Sequence, residues 1–132
     1  MRTKKTPRKK AIEKLDKVFS LWVRTRNLQP GDLQTCYTCG TVKPWKELHA
    51  GHFVTRAKYA TRWDPRNVKP QCYGCNIHRY GAAWEFGKAI DREHGEGTAD
   101  MLHAYAQRPA KFLTVELEAM AEKYRRECGD LG

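Results

Sequence analysis

Long apolar runs are absent from this sequence: none approaches the roughly 18 residues that a membrane-spanning helix needs. The basic N-terminus is followed by Ala11, Ile12, Glu13 and Lys14 rather than by an apolar signal region. A soluble, cytoplasmic protein with no membrane partner is therefore expected. Acidic residues are also scarce, 15 Asp and Glu against 25 Lys and Arg, for a net charge of +10 over 132 residues. That imbalance attracts polyanions, and nucleic acid is the first partner to consider. Cysteine is limited to five residues, four of them in two tight pairs, Cys36/Cys39 and Cys72/Cys75, with Cys128 left over. Without a signal region, such pairs favour a metal over disulfides. The length is about one domain's worth.

Six of the first ten residues are basic and show no apolar periodicity, so residues 1–10 read as a flexible, phosphate-binding arm ahead of a single domain over 11–132. Within that domain, Leu15, Val18, Phe19 and Trp22 fall at helical spacing, giving an N-terminal amphipathic helix within 11–30. A turn-rich core spans 36–93. Short strands are expected around Glu47 to Val54 and Asn67 to Gln71, followed by one helix from Asn76 to Glu93 that turns Ile77, Tyr80, Trp84 and Ile90 inward and stops at His94-Gly95. C-terminal helices occupy 98–128, the last carrying Leu113, Leu117, Met120 and Tyr124 on one face. The fold class expected is small α+β.

Cys36-Tyr-Thr-Cys39 and Cys72-Tyr-Gly-Cys75 are C-x2-C knuckles separated by 32 residues. Four thiolates suit one structural, tetrahedral zinc ion. Gly40 and Gly74 fit knuckle turns, where the backbone folds closely around the metal.

What lies between the knuckles points beyond a binding module. His49-Ala-Gly-His52 precedes the second pair, and Asn76 follows its final cysteine. A bend at Gly51 would turn His49 and His52 to one side, with Asn76 opening a helix whose N-terminus favours an anion. A divalent ion there would meet the scissile phosphate while a neutral histidine took a proton from water. Arg56, Lys58, Arg62, Arg66, Lys69, His78 and Arg79 surround this stretch and are the candidates for phosphate contacts. The aromatics Tyr37, Trp45, Tyr59, Trp63, Tyr73 and Trp84 are assigned to the core rather than to base stacking. His94, His103 and Cys128 receive no role.

Over residues 36–95 the chain resembles the phage NinG and Rap recombination nucleases of the HNH, or ββα-metal, class. The resemblance rests on Cys-Tyr-Thr-Cys-Gly, His-Ala-Gly-His-Phe, Arg62-Trp-Asp-Pro-Arg-Asn67-Val and Gln71-Cys-Tyr-Gly-Cys-Asn-Ile-His78. It implies an HNH core and metal-dependent hydrolysis of phosphodiester bonds in branched recombination DNA, such as Holliday junctions or D-loops, inside the bacterial host. By the same resemblance His52 is the general base, His49 and Asn76 hold the catalytic divalent ion, and Asn67 braces the site. His49 stands where many such enzymes have a carboxylate. Magnesium or manganese is the expected metal, with nickel and cobalt as further candidates. Resolving a four-way junction needs two active sites and would imply a homodimer. The alternatives are a non-catalytic zinc-finger DNA-binding protein and an RNA-binding or ribosome-associated zinc protein; neither needs His52.

Overall fold

In the computed structural model, residues 4–129 are described. Helix α1 spans Pro7–Thr25 and opens where the chemistry of caps dictates: the Thr6 hydroxyl accepts from the Lys9 amide at 3.1 Å, and Pro7 takes the first helical position. The basic arm expected over 1–10 is thus shorter than its charge suggested. Residues 7–10 belong to α1, and residues 1–3 lie outside the described residues. The cap signal Thr6-Pro7 was hidden within the charge run.

Two antiparallel hairpins follow. Strands β1 (Leu33–Thr35) and β2 (Val42–Pro44) pair as Leu33↔Pro44 to Thr35↔Val42. Strands β3 (His49–His52) and β4 (Val68–Gln71) pair as His49↔Gln71, Ala50↔Pro70, Gly51↔Lys69 and His52↔Val68. The long connection within the second hairpin holds the short helix α2 (Tyr59–Arg62). Asn67, fully buried, closes it: its amide donates to the carbonyls of Val54 and Thr61, and its side-chain oxygen accepts from the Val54 amide at 2.7 Å.

After the second knuckle, the single helix expected from Asn76 to Glu93 is broken in two. Gly74–His78 form one wide helical turn, Tyr80, Gly81 and Ala82 all adopt positive φ, and α3 begins only at Ala83, running to His94. The break is anchored, because the Gly81 amide donates back to the Cys75 carbonyl and the Gln71 side chain holds the Gly81 carbonyl. It also reverses the expected burial. Ile77, Tyr80 and Trp84 face solvent, and Phe86 joins Ile90 in the core instead. Gly95 stops α3 as expected, with φ 114°.

Helices α4 (Thr98–Ala106) and α5 (Thr114–Cys128) complete the chain. The main core lies between α1, α5 and one face of the β3–β4 hairpin: Ala11, Leu15, Phe19 and Val23 meet Leu117, Ala121 and Tyr124, with Val68 and Trp63 beneath. Leu113, expected on the apolar face, caps α5 in solvent. A second cluster joins Val54, Phe86 and Ile90 to Ala99 and Leu102. No helix among the described residues is long and apolar enough to cross a membrane.

Candidate functional site

The cysteines meet because the two hairpins stand side by side. Cys36 leaves β1 and Cys39 lies in the β1–β2 turn, where Gly40 takes φ 80°; Cys72 leaves β4 and Cys75 sits in the wide helical turn. Gly74, by contrast, needs no positive φ. The four sulfurs lie within 4.8 Å of one another, a donor set close enough to hold a metal ion and of the type zinc prefers. Hydroxyls support them: Thr38 Oγ1 is 3.5 Å from Cys36 Sγ and Thr41 Oγ1 is 3.1 Å from Cys39 Sγ. Burial opposes ionisation of Cys36, but bonds from the Thr38 hydroxyl and from the backbone of Cys72, Cys39 and Thr38 prevail and bring its thiol down to about 6. Burial pushes Cys75 the other way. A bound cation would hold both as thiolates.

Beside this centre, Asn76 reaches β3, where its side-chain amide lies 2.9 Å from His49 Nδ1. The ring of Tyr73 stands edge-on to His49 with centroids 5.8 Å apart. His52 does not join them. Pairing along β3 and β4 is continuous, without the bend expected at Gly51, so strand alternation sends His49 and His52 to opposite faces. Gly51 is there for another reason: a Cβ at that position would come within 1.9 Å of Oε1 of the buried Gln71.

On its own face, His52 shares a recess of about 140 Å³ with Asp16, Phe19, Ser20, Ala50, Arg56 and Trp63. Its Nε2 lies 2.9 Å from the Arg62 carbonyl oxygen. A carbonyl only accepts, so Nε2 carries the proton, and no hydrogen bond engages the Nδ1 lone pair among the described residues. Burial lowers the His52 pKa below the ordinary histidine value, against the upward pull of that carbonyl. The ring is therefore neutral at pH 7.

Asp16 was missed in the sequence. It accepts from Arg62 Nε at 3.1 Å, Trp63 Nε1 at 2.9 Å and an Arg56 guanidinium nitrogen at 3.0 Å. Its signal was an acid set into the apolar stripe of a basic helix, between Leu15 and Phe19. The pair corrects the expectation for Arg62, which is buried and bound to Asp16 instead of facing phosphate. Arg66 is paired with Asp64 at 2.7 Å, and Lys69 with Glu93 at 2.9 Å. Arg56, Lys58, His78 and Arg79 are exposed. Of the aromatics assigned to the core, Trp45 and Trp63 are buried, whereas Tyr73 and Trp84 are exposed.

A family model described as NinG, Bacteriophage Lambda NinG protein, matches residues 1–132. The chain belongs to the NinG family. It is 28% identical over 126 residues to the protein ninG of Escherichia phage 933W and 26% identical over 126 residues to that of Escherichia phage lambda. Each alignment covers 95% of this chain, which spans about 60% of the length of these curated relatives. No solved structure matches. Membership therefore extends over the two knuckles, the histidine-bearing hairpin and the flanking helices alike.

Proposed function

We propose that this NinG-family chain is an HNH-type, metal-dependent endonuclease that hydrolyses phosphodiester bonds in branched DNA within the host cell. One observation carries the reading: His52 is kept neutral by burial and fixed through Nε2, so that Nδ1 is left as a base. A fold needs no such histidine for its zinc or its core, and a general base does. In this reading His52 takes a proton from the attacking water, and Arg56, exposed at the same recess, holds a phosphate oxygen. Asn67 fixes the segment from Val54 to Thr61 that carries Arg56. Asp16 and Arg62 set the carbonyl that orients the imidazole.

The imidazole of His49 and the amide of Asn76, 2.9 Å apart, are a nitrogen and oxygen donor set suited to manganese, cobalt or nickel more than to magnesium. Held by them, a divalent ion would stand on the hairpin face opposite His52 and would not reach the phosphate that His52 and Arg56 address.

The placement of His49 and His52 on opposite faces favours a second reading, a non-catalytic zinc-bearing DNA-binding protein in which His49 and Asn76 form a structural bond. His52→Ala separates the two. Cleavage of labelled linear, flap and four-way DNA is expected to fall about 10²- to 10⁴-fold, with zinc content and DNA affinity retained. His52→Gln, which keeps a donor for the Arg62 carbonyl, is expected to lose as much. Wild-type rates from either variant, or no cleavage by the wild type in any divalent metal, would leave the second reading.

A further inference from the structure

The segment after the second knuckle exposes large side chains on an unusually fixed backbone. Tyr80 is 92% exposed and Trp84 70%, with Tyr73 at 54% and Ile77 at 45%. Tyr80 and Ala82 hold φ of 52° and 50° on either side of Gly81, a conformation that bulky side chains avoid. Such positions persist only where their surroundings over-determine them. Here the surroundings do: Tyr80 donates to Ile77, Gly81 to Cys75 and Ala82 to Arg79, all through backbone amides, and Cys75 itself is buried among the four clustered sulfurs. A solvent-facing aromatic gains nothing for the core from this arrangement. What the arrangement secures is presentation.

Charge defines what the aromatics would meet. Lys88 Nζ lies 3.6 Å from the Trp84 ring centroid, Arg79 and His78 are exposed in the same segment, and Glu85 is its one acid. The Tyr73 ring stands edge-on to both His78 and His49, with centroids 5.1 and 5.8 Å away, so the surface continues to the His49–Asn76 pair. Flat rings with cations beside them match unstacked bases flanked by phosphates, and stacking on them is tolerant of sequence.

We propose that Tyr80 and Trp84, with Arg79 and Lys88, form a stacking platform for unpaired bases of DNA beside the metal centre. The inference deepens the branched-DNA reading, since a branch point or flap supplies such bases; it would stand for a binding protein as well.

The test is equilibrium binding, which does not require cleavage. Zinc-loaded wild type, Tyr80→Ala, Trp84→Ala and Tyr80→Phe are titrated into a labelled 12-nucleotide oligothymidine and, separately, a fully paired duplex. Each alanine variant is expected to lose about 5- to 150-fold in affinity for the single strand, with duplex affinity changed less than about twofold, while Tyr80→Phe keeps wild-type binding. Unchanged zinc content and melting would confirm that the fold is intact. Equal losses on strand and duplex, or no loss on either, would overturn the platform. So would a dimer that dissociates on Trp84→Ala without any change in DNA binding, because the patch would then be a contact between copies. A wild type that binds oligothymidine through these rings but cuts nothing would remove the nuclease reading and leave the platform standing.

Discussion

On one face of the β3–β4 hairpin, Ala50 and Val68 pack into a cluster with Leu15, Phe19, Leu117 and Tyr124 from two long helices. At the knuckle end of the hairpin, burial is smaller: the cluster is Cys36, Leu48, Cys72, Cys75 and Ala82, three of them cysteines of the candidate metal centre. The first face is held by apolar area, at about 25 cal/mol for each square ångström removed from water. The knuckle end has little apolar area to bury and would depend on a bound ion. This difference has a functional counterpart. His52, on the helix-covered face, is largely buried and bonded to the Arg62 carbonyl, whereas His49 and Asn76 stand with the knuckle beside an exposed rim.

The largest expected effect breaks the comparison at its weaker face. Structural zinc contributes about 10 to 16 kcal/mol of apparent binding free energy in finger peptides, against about 5 to 15 kcal/mol for a whole domain's stability. Cys72→Ser, or removal of zinc by a chelator, should therefore open the knuckle face entirely. Amide exchange is expected to accelerate strongly at Leu48, Cys75 and Ala82, and far less at Leu15, Phe19 and Leu117. Uniform acceleration across both sets would mean that the two faces are one cooperative unit.

A smaller loss is expected on the helix face from Asp16→Ala. It strands the buried Arg62 guanidinium and removes an acceptor from Trp63. Breaking a fully buried pair costs about 3 to 5 kcal/mol. The Asp16 side chain is 27% exposed, so about 2 kcal/mol is expected by chemical denaturation, without loss of zinc. Concurrent zinc loss would show that α1 supports the metal centre.

The same contrast explains what could be read from the sequence. Knuckles are legible because ligand spacing is local, and β3 and β4 because their residues flank them. The faces of β3 were not legible. Gly51 resembles a bend until the Gln71 side chain is seen crossing it. Nor could Arg62 be told from Arg56, since both bind Asp16 and only burial separates them, and the partner of the buried cation lies 46 residues away. Tyr80 and Trp84 mimic an inward helical stripe, and only the left-handed turn at 80–82, imposed by bonds back to the knuckle, reverses them.

The smallest expected effect is in pH, and it sharpens the contrast between the histidines. His52 has a depressed pKa in the folded chain because burial penalises its charged form. The unfolded chain, with histidine near 6.5, binds that proton first on acidification. Between the unfolded and folded values the unfolded state carries more protons, so stability must fall as pH drops through this window and level off below the folded pKa. Each unit of depression would cost about 1.4 kcal/mol. Above about pH 7 the contribution is complete and flat. The measurement is the denaturation midpoint from pH 7.5 to 4.5 for wild type and His52→Gln, compared in the zinc-bound state. Knuckle thiolates also take up protons in acid, so zinc content is followed in both proteins. The His52 component is the part of the slope that His52→Gln removes. A variant slope identical to that of the wild type would mean that His52 is charged or solvated in the folded chain, and the neutral base on the helix face would be lost with it.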